Sequence, residues 1–192
     1  DVEPTPDGHT MVQDTLDLTT LLIAHNATHD LVWLWESGFT YDGPVYDTML
    51  GEYVLQRGQK EPLSLEACAE RHELETQKQD SLKAWLKDGN SVREMPHDEL
   101  SSYLISDLQA TYQLYQNQSA RYEDAKGLIP TLKLTQQLVV HLARIYQRGF
   151  KVDMEELYRV KDDFERERNE LLFALEEQAS DLMGDRPINV NS

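Results

Sequence analysis

Asn26, Asp30, Tyr103 and Asp107 are the side chains whose types and spacing suit chemistry, with Asp1 and Glu3 as further carboxylates at the start of the chain. Carboxylates from separate elements that meet at one edge of a sheet can hold divalent cations, and four of them can hold two ions. A pair of such ions about 4 Å apart suits in-line attack of water on a phosphodiester. One ion lowers the pKa of the attacking water and the other stabilises the leaving 3′ oxygen. Tyr103 stands four residues before Asp107, so on a helix the two share a face and the phenol can orient that water. Asp107 also interrupts an apolar stripe, where an unpartnered carboxylate is costly; it needs a cation, a metal or a hydrogen-bond donor.

The elements that must position these groups are legible around them. Leu21-Leu22-Ile23-Ala24 is a short apolar run closed by His25-Asn26, which predicts a strand buried on both faces. Leu31, Leu34 and Trp35 then recur at helical spacing up to Gly38. Asn26 and Asp30 thus lie where a central strand hands over to a helix, at the carboxyl edge of a sheet where sites are built. Val45 to Leu50 reads as a second short strand running into a helix, with Asp47-Thr48 at the junction as a helix cap. Apolar positions from Leu100 through Tyr103, Leu104, Leu108, Thr111, Tyr112 and Leu114 to Tyr115 mark a long amphipathic helix.

Shorter helices are expected at 10–19, 63–72 and within 77–90. Composition shifts near 122–127, and the pattern beyond it is purely helical. One helix runs over 132–147 and stops at Gly149. Another opens at Asp153, with Glu156 three residues later in a capping-box-like arrangement, and continues to about Met183.

Composition narrows the function classes. The 192 residues carry 40% hydrophobic and 28% charged side chains, as in a helix-rich globular chain. The net charge is −17. Residues 1–126 hold 9 basic and 23 acidic side chains, a net of −14, and residues 127–192 hold 9 and 12, a net of −3. So acidic a first part cannot grip nucleic acid through a generalised basic surface. It can bind metal cations, which in turn attract phosphates. No apolar run reaches the roughly 20 residues of a membrane span. The lone Cys68, in a helical apolar pattern, rules out an internal disulfide and a cysteine-rich zinc site, and reads as a buried structural thiol in a reducing, cytoplasmic compartment.

Residues 20–120 resemble the 3′→5′ exonuclease domain of family A DNA polymerases, the DNA polymerase I type, in its phage and viral branch. The resemblance rests on Leu22-Ile23-Ala24-His25-Asn26 through Asp30, Tyr46-Asp47-Thr48-Met49-Leu50, Leu63-Ser64-Leu65-Glu66, Lys78-Gln79-Asp80 with Gly89, Met95-Pro96, and Tyr103-Leu104-Ile105-Ser106-Asp107. It continues through Gly149-Phe150-Lys151-Val152-Asp153 to Ile188-Asn189-Val190-Asn191-Ser192, the region that in the family leads into the polymerase thumb.

The resemblance implies an α/β fold. A ribonuclease-H-like exonuclease domain of the four-carboxylate (DEDD) kind spans 1–126, and an all-α thumb-like segment, the start of a polymerase domain, spans 127–192. It implies two Mg²⁺ or Mn²⁺ ions and a tyrosine-type site, since the histidine type needs a His where Ser102 stands. By that likeness Asp107 binds the ion that activates water, Asp30 assists the second ion, Tyr103 positions the nucleophile, and Asn26 orients the substrate end or a neighbouring ligand. Asp1-Val2-Glu3 is the candidate for the family's opening Asp-x-Glu motif. Only 16 residues separate Glu3 from Thr20, where the family has a further strand pair, so a strand-poor sheet is expected. His29 stands where the family has an aromatic residue and reads as a packing substitution.

The implied substrate is the single-stranded 3′ end of DNA, and the implied partner is the remainder of a polymerase, its palm and fingers. The implied location is a bacterial host's cytoplasm if the chain is phage-encoded. The competing reading is a catalytically inactive exonuclease-like platform supporting the polymerase body. A freestanding ribonuclease fits poorly with residues 149–192, and a coiled-coil adaptor built on 153–183 fits least.

Overall fold

The computed structural model describes residues 6–74 and 80–184. They form two compact units, one running to Arg148 and the other starting at Gly149. The first unit contains α1 (Pro6–Leu18), β1 (Leu22–Ala24), α2 (Ala27–Glu36), β2 (Val45–Asp47), α3 (Thr48–Leu55), α4 (Leu65–Arg71), α5 (Asp80–Lys87), α6 (His97–Asp124) and α7 (Ile129–Arg148). Short 3-10 turns at Val92–Glu94 and Lys126–Leu128 lead into α6 and α7.

The described residues are thus mostly helical around a two-stranded parallel sheet, with Leu22 opposite Val45, Ile23 opposite Tyr46 and Ala24 opposite Asp47. The fold-class expectation of an α/β chain with a strand-poor sheet meets this small sheet, but one detail of it is corrected. β1 is half-buried along its length rather than buried on both faces, because a sheet of two strands cannot cover its own faces and edges.

The core lies between α1, α2 and α7. Leu16, Ala27, Leu31 and Trp35 meet Tyr41, Val139 and Ala143. Ala27, Leu31 and Trp35 recur every four residues, the inward stripe of α2. Val139 and Ala143 do the same on α7, and the Arg144 guanidinium lies 3.7 Å over the Trp35 ring centroid. The first compact unit therefore includes α7, although the composition shift falls before it.

α6 buries only part of the apolar stripe that its pattern predicts, Thr111 and Leu114 among it. Leu104, Leu108 and Tyr112 are exposed, whereas Ala110, Thr111, Leu114, Gln118 and Tyr122 are buried. Polar anchors select that face. Gln118 Nε2 donates to Thr48 O at 2.9 Å, and the Tyr122 hydroxyl donates to Gly51 O at 2.7 Å. Gly51 is needed where α3 meets α6: a Cβ there would stand 2.5 Å from Gln118 Oε1 and 2.8 Å from the Tyr46 hydroxyl.

α8 (Met154–Met183) makes up the helical part of the second unit. It opens as its sequence predicts, with Asp153 Oδ1 accepting from Glu156 N at 3.1 Å. Pairs one turn apart, Arg159 with Glu156 and Asp163, and Arg166 with Asp163, line its surface. Leu157, Phe164, Leu171 and Leu175 are exposed. It ends at Gly184, whose φ of 72° with ψ of −177° is a conformation essentially reserved to glycine. No helix among the described residues is long and apolar enough to cross a membrane.

Candidate active site

The junction of β1 with α2 is built from backbone geometry. Asn26 takes the left-handed conformation, φ 68° and ψ 50°, which asparagine tolerates better than most residues. This sharp turn frees the first N–H groups of α2, and Asp47 receives them. Its carboxylate accepts from Asn26 N at 3.1 Å and Ala27 N at 2.9 Å, and also from Met49 N at 2.9 Å and Leu50 N at 3.3 Å. The expected cap on α3 is present, and the same side chain also ties down the start of α2. Asn26 makes no capping bond with its own side chain, which is exposed.

Asp30 lies in the first turn of α2, exposed as a residue. Crowding of its carboxyl by protein atoms pushes its pKa above the ordinary value, with Asp47 adding to that rise and His29 and His25 opposing it. His29 is on the exposed side of α2, where its Nε2 accepts from Trp33 Nε1 at 3.1 Å.

Tyr103 and Asp107 share one face of α6, both half-buried. Burial first, then the Asp107 carboxylate one turn away as acceptor and as charge, raise the phenol's pKa.

His25 joins the two halves. It is within electrostatic reach of Asp47, Asp30 and Asp107, and burial lowers its pKa against their pull. Its Nε2 is 2.8 Å from Leu63 O, which can only accept, so Nε2 carries the proton. Its Nδ1 lies 2.9 Å from Thr48 Oγ1, and that hydroxyl is also 3.1 Å from Ala24 O. His25 therefore braces the end of β1 against α3 and the loop before α4.

Asp30 and Asp107 are thus each within electrostatic reach of His25, Tyr103 shares the helix face of Asp107, and Asn26 lies at the turn just before Asp30. Asp1 and Glu3, like Lys78 and Gln79, lie outside the described residues. For divalent ions, Asp30 and Asp107 offer donors of the right kind, hard carboxylate oxygens. The number falls short: among the described residues no three His, Cys, Asp or Glu side chains close on one point as a metal centre requires.

Sequence reasoning assigned no role to His25, although it stands inside the motif, and saw Asp47 as a local cap only. Cys68 is buried as expected, and burial pushes its thiol pKa up.

No curated protein and no solved structure matches the chain. Residues 13–120, more than half of the chain and all of the segment carrying Asn26, Asp30, Tyr103 and Asp107, match the family model described as 3′-5′ exonuclease. The chain belongs to the 3′-5′ exonuclease family.

Proposed function

We propose that this chain is the proofreading 3′→5′ exonuclease portion of a family A replicative DNA polymerase of the phage or viral branch. It removes nucleotides from the single-stranded 3′ end of DNA. What supports the reading is that Asp30 on α2 and Asp107 on α6 both lie within electrostatic reach of His25, with Tyr103 beside Asp107, in a chain of the 3′-5′ exonuclease family.

In this reading the fold is ribonuclease-H-like, and Asp30 and Asp107, with Asp1 and Glu3, hold two Mg²⁺ or Mn²⁺ ions. Bound there, such ions supply charge to a transferring phosphate and acidify a coordinated water. The chain's own residues do the rest. Tyr103, neutral and anchored to Asp107, presents a fixed phenolic oxygen that aligns the attacking water. Asn26 offers an exposed carboxamide to the terminal nucleotide. Residues 127–192 begin the helical thumb region, and the palm and fingers of the polymerase deliver the primer end, since so acidic a surface holds DNA weakly by itself.

The test is degradation of a 3′-labelled single strand with Mg²⁺ or Mn²⁺. Stepwise loss of 3′ nucleotides is expected. Asp107→Ala should slow it by more than about a hundredfold, beyond what loss of an outer-shell partner usually costs. No cleavage by either protein, with both folded, would overturn the enzymatic reading in favour of a non-catalytic platform.

A further inference from the structure

The backbone of Asp47 points two groups away from β1, and both are taken by one side chain from α7. Gln136 Oε1 accepts from Asp47 N at 2.7 Å, and Gln136 Nε2 donates to Asp47 O at 2.9 Å. A primary amide presents the same donor–acceptor pair as a peptide group, so Gln136 stands in for a neighbouring strand at the last residue of β2. That residue's carboxylate, 1% exposed, in turn holds the first two N–H groups at the turn into α2. One chain of hydrogen bonds therefore runs from α7 through both backbone groups and the side chain of Asp47 to Asn26, one turn before Asp30.

We propose that Gln136 is a positioning residue for the nuclease site, acting through Asp47 on Asn26 and Asp30. The inference rests on the exonuclease reading above and deepens it. Gln136 lies beyond the family-matched residues 13–120, so the working nuclease unit includes α7. The clamp is bidentate and half-buried, which fixes both the distance and the rotation of the Asp47 peptide. A single bond would leave that peptide free to twist and carry its carboxylate with it. Packing alone does not supply this: Val139 and Ala143 hold α7 against the core with no contact that aims a polar group.

The experiment uses the full chain and three variants: Gln136→Ala, Gln136→Glu and Val139→Ala. Exchange of the Asn26 and Ala27 amides is followed by NMR, alongside kcat and KM for a 3′-labelled single strand. Gln136→Ala should speed exchange of those two amides and lower kcat roughly ten- to a hundredfold, the scale of an ångström of misplacement, with KM within about twofold. Gln136→Glu keeps the acceptor for Asp47 N and loses the donor to Asp47 O, so it should fall between wild type and Gln136→Ala on both readouts. Val139→Ala should lower the unfolding midpoint while leaving amide exchange at 26–27 and kcat near wild type.

Unchanged exchange at Asn26 and Ala27 in Gln136→Ala overturns the proposal, whatever the nuclease does. So does a Val139→Ala variant that loses kcat as Gln136→Ala does. Because the exchange readout needs no catalysis, an inactive wild type would sink the exonuclease reading without disguising the fate of this one.

Discussion

Asp47 and Glu52 lie five residues apart at the start and middle of α3, and each is 1% exposed, yet they are satisfied in opposite ways. Asp47 is surrounded by backbone N–H groups from two helix starts. Glu52 is surrounded by side chains: Arg71 Nη1 at 2.9 Å, His72 Nε2 at 2.8 Å and Gln118 Nε2 at 3.1 Å. Burial alone would push the Glu52 carboxyl up, but hydrogen bonds from His72, Gln118 and Arg71 outweigh it and hold its pKa down to about 2. Backbone donors fix where elements begin, whereas side-chain donors fix how elements stay together. Asp47 is therefore a geometric device beside the site, and Glu52 a clasp joining α3, α4 and α6 away from it.

The largest effect that separates them is on stability. Glu52→Gln removes the anion from a buried cluster and leaves Arg71 without its counter-charge, a change that typically costs roughly 3–5 kcal/mol. Urea unfolding should show that loss while the folded fraction retains its nuclease rate per molecule. An equal loss of rate would erase the distinction.

Asp47→Asn should cost less, about 1–3 kcal/mol, because an amide NH₂ then faces backbone donors that need an acceptor. Its nuclease rate should fall more than that of Glu52→Gln despite the smaller shift in urea midpoint. A variant that is destabilised but fully active would break the link between Asp47 and the site.

The most gradual effect is a pH dependence. Glu52 has a folded pKa below its ordinary value of 4.5, so its contribution to stability is fully present above that value. It is lost as pH falls through the window down to about 2, with a slope of up to about 1.4 kcal/mol per pH unit. Acid titration of the urea midpoint should show this slope in wild type and a shallower one in Glu52→Gln.

How much was legible in the sequence follows the same division between local and distant partners. The β1–α2 handover, the Asp47 and Asp153 caps and the shared face of Tyr103 and Asp107 rest on residues within a few positions of each other, where periodicity and capping chemistry speak directly. The Gln136 clamp joins residues 89 apart, and the Gln118 bond to Glu52 joins residues 66 apart. Glutamine carries no periodic signal, so nothing in the chain announces either bond. The same blindness placed exposed residues in the inward stripe of α6, to which Thr111 and Leu114 do belong. Leu104, Leu108 and Tyr112 look like the inward stripe by hydrophobicity, but Gln118 and Tyr122 are anchored by hydrogen bonds to α3 and rotate them outward.

The missing Cβ of Gly51 makes α6 a lever. Its fulcrum is the contact with Gln118, and the load is Asp107, eleven residues up the helix, or roughly 16 Å at 1.5 Å per residue. Over that arm a tilt of only about 4° displaces the carboxylate by about 1 Å, a distance on which catalytic alignment turns. A methyl group at position 51 that moved α6 rather than only the end of the Gln118 side chain would be felt at a point it never touches, through the stiffness of the helix between.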